Sequence, residues 1–536
     1  MKPLQNAEPD FRDDDPGLGT LVNEFVQDRK AIELRYPMQL SNLRIGRLKK
    51  LHMTWRQRLE GIEPAPLSTV AAIDRALFLN FLQKADDELE HLEEELERLK
   101  PNMPYAELIC QLDAERMDMK DPSGEDVAAK FAELSRILAA SSPVENTWIA
   151  GEAVKELKQA IERWRDYYCP YDPEIAWWVR TPIEHVLEAF EAVQPKSNPD
   201  LIPGRPVGRQ AIEVALKREM LANTPEELVA IGEREYAWCL REIKGAAREL
   251  GFGEDWRAAI EHVKDSCVSP GQQPRMVRQL ALEAVEIVRD LVTVPPLAEE
   301  TWRMNMMTAE AQKVSPFFLG GEVIMVSYPT DAMSQEEKRM SMRGNNPAFS
   351  RATVQHELIP GHHLQQFMTR RFRPYRRLFS TPFWIEGWTI YWELLLWELG
   401  FPDTPERRIG MLFWRMHRCI RVVFSLRFHL GEISTADCVE MLVDLVGHER
   451  FNAEAEVRRS FNGSYPPLYQ AAYLLGGLQF REISRELLED GWKLRDIHDR
   501  ILRENQMPPA MLRLALTGDR PSGGIPAWRL PVTGSN

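Results

Sequence analysis

From Thr69 to Lys100 the chain reads TVAAIDRALFLNFLQKADDELEHLEEELERLK, placing Ile73, Leu77, Phe81, Leu89, Leu92 and Leu96 near helical spacing until Pro101 ends the pattern. The dense carboxylates between them describe the solvated face of one long helix. The same period returns at Gly124–Ala140, Gly151–Tyr167, Thr224–Leu250 and Gln273–Val292. The first half therefore reads as helix after helix, with few strand candidates between. A strand is expected at Phe317 to Tyr328, FFLGGEVIMVSY, which is β-branched and aromatic around a Gly-Gly pair.

With 536 residues the chain has room for about three domains or one large pair of lobes. The segment QPKSNPDLIPGRPVGR, Gln194 to Arg209, concentrates Pro, Gly, Ser and Asn between helical patterns and is the best lobe boundary; Ser269–Pro274 is a weaker break. The expected division is a polar N-terminal segment 1–19, a helical lobe 20–195, a second lobe 196–518 that carries the chemistry, and a Gly/Pro/Ser-rich flexible tail 519–536.

Lys and Arg number 67 against 81 Asp and Glu, a net charge of −14. That balance argues against nucleic acid or an anionic membrane as the main partner. The arginine cluster RRFRPYRR, Arg370 to Arg377, reads as a surface or substrate-facing loop. Six scattered cysteines form no C-x-x-C pair and are expected to be reduced core residues. The amino terminus lacks the apolar stretch of a secretory signal, and no run of about 18 uncharged apolar residues occurs, so a cytoplasmic location is expected. Phosphate-binding loop and serine-elbow patterns are missing, and GFGEDW at Gly251 follows no strand, which leaves a dinucleotide fold unsupported.

The chemistry concentrates in ATVQHELIPGHHLQQF, Ala352 to Phe367, and TPFWIEGWTIYWELLLWELG, Thr381 to Gly400. In a His-Glu-x-x-His helix two imidazoles meet one zinc, and the glutamate activates the bound water. Here His356 and Glu357 are present, but Pro occupies position 360 and the next histidines are His362 and His363. On an unbroken helix His362 would be turned about 120° from His356 and lie about 9 Å along the axis. His363 would share the face of His356 but sit about 10.5 Å away, too far for two Zn–N bonds of ~2.1 Å. Either histidine demands a deformed helix. Pro360 removes an amide and Gly361 frees the backbone, so a local bulge that returns His362 to the metal is expected.

These two stretches resemble the hallmarks HE-x-x-PGH-H-x-Q and EGW-x-x-Y-x-E of the bacterial domain-of-unknown-function family 885, thought to be related to gluzincin zinc peptidases. The chain supplies His356 to Gln365, then Glu386, Gly387, Trp388, Tyr391 and Glu393. YLLGGLQFR, Tyr473 to Arg481, and the closing text REISRELLEDGWKLRDIHDRILRENQMPPAMLR are also similar to that family, over roughly residues 200–518. The resemblance implies a mainly α, two-lobed metallopeptidase-like fold with a small β-sheet beside the active-site cleft. It implies one zinc on His356, His362 and Glu386, with Glu357 as general base. Two imidazoles and one carboxylate leave one open position, as catalytic zinc requires.

Glu393, seven positions after Glu386, shares its helix face and is expected to support the ligands from behind. Trp384, Trp388, Trp392 and Trp397 have core spacing. Gly320 and Gly321 allow close approach of substrate backbone. His429 and Tyr473 are candidates to hydrogen-bond an oxyanion, and Arg481 to bind a substrate carboxylate. Ser425 and Arg427 replace an aspartate and a glycine of the family pattern around His429, and Arg421 fits that region more weakly. The expected activity is zinc-dependent hydrolysis of short peptides or small amides. Hydrolysis of a non-peptide amide or ester and a catalytically silent helical scaffold are the rival readings.

Overall fold

The computed structural model describes residues 17–196, 202, 204–308, 312, 320–321, 323–521 and 526–532. The chain is mainly helical. Seven helices come first: α1 (Gly19–Arg35), α2 (Asn42–Glu60), α3 (Thr69–Leu99), α4 (Ala106–Met117), α5 (Gly124–Ala140), α6 (Trp148–Tyr168) and α7 (Pro173–Val193). Next come α8 (Arg209–Arg218), α9 (Pro225–Glu249), α10 (Trp256–Asp265), α11 (Gln273–Val288) and α12 (Pro296–Thr301). The strands β1 (Arg303–Met306) and β2 (Val323–Val326) lead into α13 (Gln335–Gly344), α14 (Pro347–Glu357), α15 (His362–Thr369), α16 (Pro382–Glu398) and α17 (Pro405–His429). The chain closes with α18 (Thr435–Val446), α19 (Arg450–Phe461), α20 (Tyr469–Glu489), α21 (Leu494–Glu504) and α22 (Pro509–Thr517).

Local chemistry sets many of these starts. The side chains of Ser68, Ser123, Thr147 and Asp172 accept amide hydrogen bonds at the heads of α3, α5, α6 and α7. Thr224 and Glu227 form a reciprocal capping box at α9.

β1 and β2 pair in parallel, Arg303 opposite Val323 through Met306 opposite Val326. The strand expected at 317–328 is thus shorter; residues 317–319 and 322 lie outside the described residues. RMNM in β1 alternates polar and apolar residues, but over four positions only, too short a run to stand out from the helical text around it. Ile324 and Val326 pack with Val277 and Ala281 of α11 and with Val354 and Leu358 at the end of α14, so the sheet braces the helix that carries His356.

Two larger cores divide the helices. The smaller runs from Leu99 to Val193, together with Met38, and is built by α4 to α7. The larger contains Phe25, Trp55 and Phe78 together with α9, α16, α17 and α20. This differs from the expected lobe at 20–195. α3, with 31 residues, is about 46 Å long and takes part in both cores, and its Phe78 ring lies 6.1 Å from Phe379.

Part of the expected flexible tail is also held. Leu221 bridges Trp528, the Ala222 amide donates to Trp528 O at 3.0 Å, and Asn223 exchanges two hydrogen bonds with the backbone of Leu530, which is buried. No helix among the described residues is long and apolar enough to cross a membrane.

Candidate metal centre

α14 stops at Glu357 and α15 starts at His362. Between them Leu358 leaves helical geometry at φ −105° and ψ −103°, the Ile359–Pro360 bond is cis, and Gly361 takes φ −75° and ψ −138°. The expected bulge is therefore a complete break between two helices. Leu358 O accepts from the amides of His363 and Leu364 at 3.1 and 3.2 Å, and the Gly361 amide donates to Gln355 O at 3.0 Å. A Cβ at position 361 would collide with the carbonyl of His356, so glycine is required there. The Trp388 indole donates to Pro360 O at 2.9 Å and ties the break to α16.

This break delivers His362 and turns His363 away. The rings of His356 and His362 lie 5.0 Å apart, nearly perpendicular at 84°. His363 instead donates from Nε2 to Ala298 O at 2.9 Å, and burial lowers its pKa.

Glu386 comes from the first half of α16, which crosses α20 at glycines: a Cβ on Gly387 would stand 2.8 Å from the backbone of Gly476. Its Oε2 lies 3.3 Å from His362 Nε2 and 3.7 Å from His356 Nε2. The ligand atoms of His356, Glu357 and His362 all fall within 4.8 Å of one another. Both imidazoles are held from behind. His356 Nδ1 donates to Glu393 Oε1 at 2.8 Å, and His362 Nδ1 faces Gln365 Oε1 at 3.4 Å. Gln365 is oriented in turn by donating to Trp384 O and Ile385 O at 3.3 and 3.1 Å. With each Nδ1–H committed, each Nε2 offers a lone pair toward the same carboxylate oxygen.

Burial opposes a charged His356 ring, yet the Glu386 and Glu393 carboxylates prevail and lift its pKa to about 9. Burial likewise pushes Glu386 up, but His362 and His356 hold it well below the usual carboxylate range. The cluster thus demands positive charge. Oε2 of Glu386 is buried and receives no hydrogen bond of normal geometry. A divalent cation at the meeting point of three such atoms satisfies all of them, so the donor set fits zinc. Glu357 is half-buried, and enclosure raises its pKa against the pull of His356 and His362.

Around the cluster, Tyr469 donates to Glu386 Oε1 at 2.9 Å, and Tyr473 donates to the Tyr469 hydroxyl at 3.3 Å. The Tyr473 ring lies nearly parallel to His356 with centroids 6.5 Å apart, and burial pushes its phenol up to about 12. Gly320 rests on Glu357, where a Cβ would collide with the carboxylate, and Gly321 takes φ +133° beside Gln366. Trp384, Trp388 and Trp392 are buried in the core, as their spacing implies.

Two expected site residues are placed elsewhere. His429 ends α17 against Phe428 and Phe461, and burial pushes it down to about 4. It lies about 12 Å along α17 from Arg421, the residue whose guanidinium sits 4.0 Å over Tyr473. Ser425 closes on Val422 O, and Arg427 pairs with Glu233. Arg481 lies 4.0 Å from Glu398, about 18 Å along α16 from Glu386. Gln365 closes the first hallmark without a role of its own, and Tyr469 goes unnamed in the sequence reading although it stands one helical turn from Tyr473.

No curated protein matches the chain. Two solved structures share the fold. One, described as a putative lipoprotein of unknown function from Shewanella oneidensis, superposes with a TM-score of 0.64 at 14% identity, over 94% of this chain and 100% of that one. The other, described as the putative lipoprotein from Colwellia psychrerythraea, gives 0.59 at 15% identity, over 93% and 97%. Both neighbours being described as lipoproteins overturns the cytoplasmic location expected from the amino terminus, which is withdrawn. Residues 56–516 match the family described as bacterial protein of unknown function, DUF885, and the chain belongs to that family.

Proposed function

We propose that this protein is a zinc-dependent hydrolase that cleaves short peptides. The observation that carries the reading is the convergence of His356 Nε2, His362 Nε2 and Glu386 Oε2, with Glu357 beside them. A divalent ion held by those three atoms supplies Lewis acidity for a carbonyl and acidifies an attacking water. Glu357 takes the proton of that water as its oxygen adds to the carbonyl carbon. As the C–N bond breaks, the same carboxyl group passes the proton to the leaving amine. Tyr473, held over His356, turns its hydroxyl proton from Tyr469 to the developing oxyanion. Glu393 and Gln365 keep the imidazoles in the liganding tautomer. The helical surround favours short peptides over folded proteins, an argument from analogy.

Elemental mass spectrometry on the wild type and on His362→Ala and His363→Ala is the test, followed by a peptide library on the zinc form. About one zinc per chain, lost with His362→Ala and kept with His363→Ala, is expected. Well-folded wild type that takes up no zinc would sink the proposal. Zinc uptake without peptide cleavage would move the reading to another amide or ester, or to an inactive scaffold.

A further inference from the structure

The tyrosine row of α20 extends beyond the helix. Tyr465 stacks on Tyr469 with centroids 4.2 Å apart and 25° between planes. Tyr465 and Tyr469 are half-buried and Tyr473 is buried, so the row descends from the surface to Glu386 and His356. Three arginines stand along it. Arg421 and Arg418 of α17 lie 4.0 and 5.4 Å from the Tyr473 centroid, and Arg459 of α19 lies 5.9 Å from that of Tyr465.

Two carboxylates touch these three cations directly, while Glu386 and Glu357 lie at the inner end of the row with the metal ligands. Glu393 lies 3.6 Å from Arg418 and also holds His356 Nδ1. Glu456 is shared, 3.3 Å from Arg421 and 3.1 Å from Arg459. The neighbouring His417 and His448, hydrogen-bonded to each other at 2.9 Å, add no negative charge. With a divalent ion offsetting Glu386 and Glu357, one positive charge is left over in a largely enclosed region, an arrangement that favours an incoming anion. Arg421 is committed, 2% exposed and donating from Nε to Gln470 Oε1 at 2.6 Å. Arg459 is 19% exposed, and its buried Nε has no hydrogen-bond partner. It occupies the last turn of α19, beside the open end of the tyrosine row.

We infer that Arg459 binds the terminal carboxylate of a peptide whose reacting carbonyl lies at the His356, His362 and Glu386 cluster, so that peptides with a free carboxyl terminus are the preferred substrates. The inference rests on the hydrolase reading for its substrate class. A guanidinium presents the planar pair of donors that a carboxylate matches. The stacked Tyr465 and Tyr469 rings run from that anchor to Glu386. Trimming from the carboxyl end follows, rather than internal cleavage.

The test is calorimetric binding of an N-acetylated tetrapeptide and its C-terminal amide to zinc-loaded Glu357→Gln protein, which holds substrate without turnover. The acid is expected to bind about 10–100-fold more tightly than the amide. Adding Arg459→Met is expected to bring the acid to the affinity of the amide, with zinc content unchanged. Equal binding of acid and amide by the parent protein overturns the inference, as does a preference that survives Arg459→Met. Should Arg459→Met fail to fold, Arg459→Lys replaces it: a loss of at least about tenfold for the acid alone supports the assignment, and no loss overturns it. An acid preference in a protein whose wild type cleaves no peptide would sink the peptidase reading and leave the carboxylate anchor standing.

Discussion

Glu357 and Glu393 flank His356 chemically but have opposite tasks. Glu357 is half-buried against the backbone of Gly320, reachable by water, whereas Glu393 is buried and committed to His356 Nδ1. Glu357→Gln should therefore retain zinc while lowering kcat by about 10²–10⁴-fold, read by turnover on any cleaved peptide at matched metal content. Glu393→Gln should leave the fold in place and weaken zinc binding by about 10–100-fold, read by competition with a chelator. Comparable turnover in Glu357→Gln would remove it from proton transfer. At this scale it was the resemblance of two short motifs, rather than spacing, that singled out His356, His362 and Glu386, and the fold brings these three side chains together. The sequence was uninformative about the direction in which Arg481 points. α20 is buried nearly all round, so periodicity cannot tell which of its faces meets the cluster.

The helix break from Leu358 to Gly361 determines which histidine meets His356. Gly361→Ala places a methyl group on the carbonyl of His356, and either the break rearranges or the helices separate. The expected outcome is a loss of about 3 kcal/mol or more of stability, seen as a lower Tm, together with reduced zinc stoichiometry. A variant with unchanged Tm and full zinc would show that the break tolerates a side chain. The Pro-Gly pair announced a deformation at this place, but a bulge and a complete break have the same sequence signature. The outcome depends on tertiary contacts such as Trp388 to Pro360 O. β1 illustrates the same limit, since the alternation of RMNM spans only four residues and its pairing with β2 is a tertiary contact.

Over the whole molecule, several buried histidines are held neutral. Burial pushes His498 and His429 down to about 4 and His448 to about 3, from an ordinary value of 6.5. Below pH 6.5 the unfolded chain takes up protons that the folded chain refuses, so stability rises with pH in that range. The contribution is complete above pH 6.5 and is lost as the pH falls toward 4, at up to about 1.4 kcal/mol per pH unit per histidine. Urea unfolding across this window should show a falling midpoint at constant slope, and His498→Gln should flatten the fall. The mainly helical class was legible because a period of 3.6 repeats along the chain. The division into cores was less so. Pro- and Gly-rich text marks where a chain turns, whereas core membership depends on which neighbours a 31-residue helix such as α3 spans.

The second imidazole arrives on a new helix instead of on the next turn of the first. The number of residues separating His356 from His362 is consequently a property of a connecting loop, free to change wherever the loop can still bring α15 back. A survey of genomes that demands two histidines with three residues and a fixed register between them will pass over such chains. One that asks for two Nε2 atoms aimed at a shared carboxylate oxygen will retain them.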